Sequence, residues 1–155
     1  MGTSPGLVSF EHRIANVIRR ANDTDFEDSE LRAGLARYAT VLVSGFLEES
    51  VRHYVGTWCR DRSHPHVARY VEKDLDTFWN PKLGKILDLL GKLSPDWRNS
   101  FESCLTDEEV DHINSTVSLR NQIAHGGDVG VTPLRVKALF SSAMSAMEKL
   151  DDLLA

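Results

Sequence analysis

The sequence is poor in features that would point to a secreted or membrane protein. Only two cysteines occur among its 155 residues, Cys59 and Cys104, and neither belongs to a CxxC pair. This usage favours reduced thiols. No apolar run reaches the length of a membrane span, and residues 1–6 lack the basic and apolar regions of a signal peptide. We therefore expect a cytoplasmic protein without a membrane partner.

Positive charge is also scarce, because 18 Lys and Arg residues stand against 23 Asp and Glu residues, a net charge of −5. A protein that binds nucleic acid without regard to sequence normally presents a broad basic face, so the balance argues against that class. Any contact with RNA is expected in a local basic cleft. The 41% hydrophobic and 26% charged residues are ordinary for a globular protein, and the length fits one domain over residues 1–155.

Strand-like alternation is absent, whereas apolar residues recur at helical spacing along the chain. The predicted fold class is all-α, a helical bundle with a long second helix and shorter accessory helices. The predicted helices cover residues 7–21, 29–60, 67–78, 81–93, a short segment from 94, 106–125 and 132–154. No repeat, low-complexity tract or interdomain linker interrupts them.

The second helix is the longest, and Ser29 is its predicted cap after an acidic loop at residues 22–28. Asn80 and Pro81 are the predicted cap and first position of a later helix. Five apolar residues of the second helix recur on one face and predict its packing surface: Leu31, Leu35, Tyr38, Leu42 and Phe46.

Thr106 and Glu109 form a capping box that opens the sixth predicted helix. At about 100° per residue, one side of this helix is an apolar stripe. Leu119 and Ile123 lie on roughly the opposite side, so we expect packing on both sides, within the bundle or across a dimer interface. The stripe consists of Val110, Ile113, Val117 and Ala124.

Arg120, Asn121 and His125 occupy the end of this helix. The Arg guanidinium is a permanently charged planar fork that fits phosphate oxygens. The His imidazole gives and takes protons near neutral pH. Asn121 precedes His125 by four positions, so its amide is placed to orient the imidazole. Together the three residue types suit the handling of a phosphate group.

An ordinary helix end accounts for the same residues without chemistry. Cations near a helix C-terminus interact favourably with the macrodipole, and the pair at 126–127 is a routine glycine terminator. A structural bundle whose Arg120 and His125 only complete a helix is therefore one interpretation. Arg120 and Asn121 fall within or beside the packing stripe, however, and buried polar groups are costly unless paired.

Two glutamates of the second helix are candidate counter-ions for this cluster. Helix geometry places Glu49 on the extension of the apolar stripe and Glu48 on a flanking face. A carboxylate at either position is suited to pair with Arg120 or to orient His125. The residues alone leave both glutamates open.

The spacing of Arg120, Asn121 and His125 resembles the Arg-x4-6-His signature of the HEPN superfamily, in its form Arg-Asn-x-x-Ala-His. The chain is similar in particular to RiboL-PSP-type HEPN domains. Residues 46–52 resemble the family's Leu-Glu-x-x-aliphatic-basic pattern, and residues 80–86 resemble its lead-in to the mid-domain helix. The order of helix, motif, glycine turn and final helix also agrees, so the resemblance covers about residues 29–154.

The resemblance implies a metal-independent endoribonuclease that acts as a homodimer, with two motifs in one composite cleft and no cofactor. Carried onto this chain, His125 is the general acid or base, Arg120 stabilises the charge of the transition state, and Asn121 positions His125 or a phosphate oxygen. The family pattern favours Glu48 as the accompanying carboxylate. The implied products are a 2′,3′-cyclic phosphate and a 5′-hydroxyl, so RNA is the substrate and DNA is inert.

The family also implies a role in RNA-targeting defence or as a toxin-like effector, with a neutralising antitoxin as a further partner. The alternative function is a non-catalytic HEPN dimer that binds RNA or a protein. Superfamily members of that kind lack the motif, so the intact motif counts against it.

Other residue types with metal or stacking chemistry are interpreted as structural. Cys59, Asp61, His64 and His66 match no standard zinc spacing, so a solvated loop is preferred and no metal is implied. His12 and His112 are expected at the surface or its boundary. The three tryptophans, Trp58, Trp79 and Trp97, are expected to fill the core or an interface; the alternative is that an exposed one near the cleft stacks on a base.

Overall fold

The computed structural model describes residues 4–24 and 28–155, which form seven α-helices and no strand. The predicted all-α bundle is confirmed. The helices are α1 (Pro5–Asp23), α2 (Ser29–Arg62), α3 (Pro65–Leu75), α4 (Leu83–Leu93), α5 (Pro95–Cys104), α6 (Asp107–Ala124) and α7 (Pro133–Leu154). None of the helices in this part of the chain combines the length and apolar character needed to cross a membrane.

Helix α2 is the central element, and α1, α3, α6 and α7 all pack against it. Its 34 residues extend about 50 Å at 1.5 Å per residue. Phe46 joins three helices, because its ring lies 6.3 Å from that of Phe10 in α1 and 5.8 Å from that of Phe140 in α7. The Phe46 and Phe140 rings meet edge to face, a favourable arrangement for aromatic pairs.

The packing face of α2 differs from the predicted stripe. Leu31 and Tyr38 are each 50% exposed, and the prediction was wrong for them, whereas Phe46 is buried. Small residues such as Ala36 and Ala39 are fully covered instead, since they let the neighbouring helices approach closely. The predicted cap was also wrong: Asp28 accepts the Leu31 N–H at 3.3 Å, and Ser29 is already helical.

The acidic loop is shorter than predicted, because α1 continues through residues 22 and 23. Residues 25–27, the remainder of that predicted loop, lie outside the described residues.

Helix α4 starts two residues later than predicted, at Leu83 after the cap residue Lys82. Asn80 is not the cap, because it takes a φ of 49° and its N–H donates to Oε2 of Glu48 at 2.9 Å. The cap hydrogen bond comes from another helix, since Oδ1 of Asn114 in α6 accepts the Leu83 N–H at 3.0 Å. Residues 80–83 are thus held between α2 and α6.

Glu109 fixes the first turn of α6 to α7. Its carboxylate accepts the Thr106 N–H at 2.8 Å, and Thr106 returns a hydrogen bond from its hydroxyl oxygen to the Glu109 N–H, which confirms the capping box. Ser145 donates to the same carboxylate at 2.6 Å, and Lys149 donates at 2.7 and 2.9 Å. Burial raises the pKa of Glu109, but the hydrogen bonds from Lys149, Ser145 and Thr106 outweigh burial and leave the pKa lowered.

His112 forms the second contact between α6 and α7, and it is buried, whereas the surface or its boundary was predicted. Its Nε2 lies 3.0 Å from Nη1 of Arg135, and its Nδ1 lies 2.7 Å from the Ser142 hydroxyl. A guanidinium only donates, so Nε2 accepts and the proton of the neutral ring resides on Nδ1. Because Glu109 and His112 both have side-chain partners in α7, they fix the position of α6 along its neighbour.

A glycine turn ends α6, as predicted. Gly126 has a φ of 75°, a left-handed conformation that favours glycine. The Gly127 N–H donates to the Gln122 carbonyl at 2.9 Å, and a Cβ at Gly127 would lie only 2.9 Å from that oxygen. Val129 and Val131 are buried and attach the following segment to the core before α7 begins.

We predict that Glu109→Gln lowers the free energy of unfolding by about 1–3 kcal/mol at neutral pH, since it removes the charge that three groups stabilise. The folded-state pKa of Glu109 is lowered, so its contribution is complete above the ordinary range of a glutamate and is lost as pH falls below that range. Urea unfolding at about pH 7 and about pH 3 measures the difference. The matched control is Glu108→Gln, in the same turn with a side chain 75% exposed. An equal effect of both variants, or no loss of the difference in acid, would contradict the prediction.

We predict that Gly127→Ala destabilises the protein by about 1–3 kcal/mol, because the new methyl group collides with a backbone carbonyl that cannot swing away. Gly130→Ala is the matched control, since a Cβ there meets nothing within 4 Å. Thermal unfolding of both variants tests the comparison. A Gly127→Ala melting temperature as high as that of Gly130→Ala would show that the turn adjusts.

Candidate active site

Arg120, Asn121 and His125 lie together at the C-terminal end of α6. Arg120 follows Ile113 and Val117 on the buried face of the helix, but it stands where the core ends and is only half-buried. The predicted apolar stripe stops at Val117, because Ala124 is exposed. The Arg120 guanidinium therefore lies at the edge of the hydrophobic core, where solvent begins.

The contacts within the motif are short-range. Nη1 of Arg120 donates to Oδ1 of Asn121 at 3.4 Å, and the backbone carbonyl of Asn121 accepts the His125 N–H at 3.1 Å. His125 is the C-cap residue of α6 and is exposed. No hydrogen bond joins the Asn121 amide to the imidazole within residues 4–24 and 28–155. Asn121 thus orients Arg120, while the His125 ring projects to solvent.

Arg120 has no carboxylate partner among the ion pairs of the described chain. A half-buried guanidinium that lacks a counter-ion attracts anions, and its planar donors match the oxygens of a phosphate. His125, a turn and a half further along, presents an accessible imidazole, the side chain most often used for general acid–base catalysis.

The two candidate glutamates have exchanged the places expected from helix geometry. The Glu48 side chain is 22% exposed and pairs with Nη2 of Arg52 at 3.1 Å, in addition to accepting the Asn80 N–H. The Glu49 side chain is 56% exposed and lies 4.0 Å from Arg52. In the described single chain neither carboxylate pairs with Arg120 or His125. Glu48 instead supports residues 80–83.

Asn114 connects this support to the motif, and the sequence reasoning missed it. At about 100° per residue, Asn114, Asn121 and His125 fall on one face of α6. Asn114 accepts the Leu83 N–H, so residues 80–83 border that face. The signal that was available is the seven- and eleven-residue spacing of these three polar residues.

The residues with metal chemistry are dispersed. Cys59 is buried, and burial followed by the negative charge of Glu72 raises the pKa of its thiol. Nδ1 of His64 accepts the His66 N–H at 3.3 Å, as a cap of α3. Across the described ranges, no group of three or more His, Cys, Asp and Glu residues could hold a metal ion.

The tryptophans divide into two kinds. Trp58 and Trp97 are partly covered and meet edge to face with their rings 4.7 Å apart, in agreement with the prediction. Trp79 is 61% exposed, so it does not fill the core, and its predicted place in an interface stays a prediction.

A comparison with protein families agrees with the fold and the motif. The family model described as RiboL-PSP-HEPN matches residues 10–155, which is nearly the whole chain and includes Arg120, Asn121 and His125. No curated protein and no solved structure matches the chain. Because the match spans far more than half of the sequence, the chain belongs to the RiboL-PSP-HEPN family of the HEPN superfamily.

Proposed function

We propose that this protein is a metal-independent endoribonuclease. The observation that carries the proposal is the half-buried Arg120, without a carboxylate partner in the described chain, at the same helix end as the exposed His125. Membership in a family associated with RNA supports the same interpretation. An unneutralised cation and an accessible imidazole are the two components that phosphodiester transesterification requires from a protein without metal.

In the proposed reaction the ribose 2′-oxygen attacks the adjacent phosphorus. A base takes the proton of the 2′-hydroxyl, the bond from phosphorus to the 5′-oxygen breaks, and an acid gives a proton to the leaving 5′-oxygen. Arg120 stabilises the negative charge that grows on the non-bridging oxygens. The products are a 2′,3′-cyclic phosphate and a 5′-hydroxyl, and DNA is inert because it lacks the attacking group.

The acid and the base are two different groups, whereas each motif contains one imidazole. We therefore propose a homodimer in which the motifs of both copies share one composite cleft, so that one His125 acts as base and the other as acid. Leu119 and Ile123, which are only partly covered in the single chain, lie on the same helix end and are candidates for that interface.

The proposed cellular role is RNA-targeting defence or a toxin-like activity in the cytoplasm. An accessible nuclease of this kind needs restraint in its own cell, so the proposal includes a neutralising protein as an antitoxin. Purification of the complete protein from its native cells tests this: a partner that binds stoichiometrically and inhibits cleavage supports it, and full activity in the extract contradicts it.

We predict that His125→Ala lowers the rate of RNA cleavage by about 10²–10⁴-fold and Arg120→Ala by about 10²–10³-fold. The assay contains a chelator, and it is repeated with an all-deoxy substrate of the same sequence, which should stay intact. His12→Ala, which removes an exposed histidine of α1, is the matched control and should cleave normally.

If His125→Ala and Arg120→Ala keep the wild-type rate, or if wild-type protein cuts no RNA, the nuclease proposal is wrong. Binding of RNA without cleavage would favour the non-catalytic HEPN dimer.

We predict a solution mass of twice the 17.4 kDa of one chain, because a single copy lacks one of the two proton-transfer groups. Light scattering measures the mass, and the specific activity is followed on dilution. Activity per chain should fall as the dimer dissociates. A monomer with constant specific activity would overturn the composite site even if the protein cleaves RNA.

A further inference from the structure

A basic cleft lies between α2 and α3, apart from the motif. It encloses about 580 Å³ and is lined by four cationic side chains and two acidic ones. This local excess of positive charge occurs in a chain whose net charge is −5. The cations are Arg52, Arg60, Arg69 and Lys73, and the acids are Glu72 and Asp76.

The acids neutralise only part of this charge. Arg60 pairs with Glu72 at 2.6 Å, and Lys73 lies 3.7 Å from Asp76 with both side chains largely exposed. Arg69 makes no ion pair with any residue that the structure describes.

Arg52 also keeps donor capacity. Its Nη2 binds Glu48, its Nη1 lies 4.0 Å from Glu49, beyond hydrogen-bond distance, and its buried Nε has no hydrogen-bond partner within the described chain. The guanidinium groups of Arg52 and Arg69 therefore retain donors for an anion.

An exposed aromatic ring stands at the rim of the cleft. Trp79 is 61% exposed, and its Nε1 donates to the carbonyl of Asp76, a cleft residue, at 2.7 Å. Lys85 donates to the Trp79 carbonyl at 2.6 Å, so the backbone is held as well. A large exposed ring that is held next to a residue of a basic cleft suits the stacking of a base whose phosphate lies in the cleft.

The cleft is connected to the motif helix by a chain of contacts. Arg52 pairs with Glu48, and Glu48 holds the N–H of Asn80, the residue after Trp79. Three residues further, Leu83 is bound by Asn114, which shares a helix face with His125. Asn114 and His125 are about 16 Å apart along the helix axis, a span of only a few nucleotides.

We propose that the α2–α3 cleft and Trp79 form a binding site for single-stranded nucleic acid. The guanidinium groups of Arg52 and Arg69 receive phosphate oxygens, and the Trp79 ring stacks on a base. Stacking and phosphate contacts do not read the 2′-hydroxyl, so the site accepts RNA and DNA strands alike. Its use as the substrate-holding site of an RNA-cleaving enzyme rests on the function proposed above, whereas the binding itself does not.

A variant of Glu72 should raise the affinity for nucleic acid instead of lowering it, because Glu72 competes with phosphate for Arg60. Glu72→Gln removes this competition and should tighten binding. Affinity should also fall with rising salt, since each phosphate neutralised on a single strand contributes about −0.7 to the slope of log K against log salt.

The experiment measures, by fluorescence anisotropy at low salt, the binding of the full chain to a labelled single-stranded DNA. The DNA has about 12 nucleotides, a length within the range of single-strand binding sites. DNA is used because the proposed nuclease leaves it intact. Trp79→Ala should weaken binding about tenfold, and Trp79→Phe should restore most of it. Arg69→Glu should weaken binding as well, whereas Arg19→Glu, the same charge change at an exposed residue of α1, should have little effect.

Wild-type affinity in both Trp79→Ala and Arg69→Glu, with thermal unfolding unchanged, would overturn the proposal. Equal affinity for duplex and single strand, or no binding of nucleic acid at low salt, would also overturn it. Trp79-dependent binding by a protein that never cuts RNA would support the site and refute only the nuclease. Cleavage that is unaffected by Trp79→Ala and Arg69→Glu, together with unchanged binding, would refute only the site.

Discussion

The attachment of α6 to α7 by buried polar pairs is the contact on which the candidate site depends. Apolar contacts along two helices tolerate a slip of one turn, since Ile113 and Val117 would find other apolar neighbours. The Glu109 carboxylate and the His112 ring would not, because their partners on α7 are four particular polar residues: Lys149, Ser145, Ser142 and Arg135. Breaking a buried polar pair costs several kcal/mol, so these pairs select one register. That register decides where Arg120 leaves the core.

The proposed composite site would make each chain a half-site in its charges as well as in its histidines. Within one described chain, neither glutamate of α2 pairs with Arg120. Glu48 holds residues 80–83 and pairs with Arg52, while Glu49 remains at the surface. The positive charge of Arg120 is therefore uncompensated until a phosphate or a partner copy arrives. This arrangement is suited to differential stabilisation of a transition state, since no internal carboxylate must first be displaced.

The sequence predicted those parts of the fold that rest on local chemistry. The Thr106–Glu109 capping box and the glycine turn after His125 depend on residues within four positions of each other, and the structure has them where expected. The helices predicted to start near residues 94 and 132 begin at Pro95 and Pro133. The motif and its family were accessible for the same reason, because Arg120, Asn121 and His125 are close in sequence.

The features that the sequence did not predict are those that depend on distant residues. Asn114 supplies the cap hydrogen bond of α4 across 31 positions. His112 can be buried because Ser142, 30 positions away, accepts a hydrogen bond from its Nδ1. The exposure of Leu31 and Tyr38 on α2 was not predicted, since an apolar stripe does not reveal which of its residues a neighbouring helix covers. A local basic cleft was expected, but its place was not, because its cations come from two helices.

The distribution of the tryptophans has an optical consequence. Trp58 and Trp97 lie against each other in a partly covered pair, whereas Trp79 alone is largely in water. Their emission should therefore separate into a component shielded from small quenchers and a component open to them. The chain carries a built-in spectroscopic reporter at the rim of the α2–α3 cleft, and events at that rim are observable in the unlabelled protein.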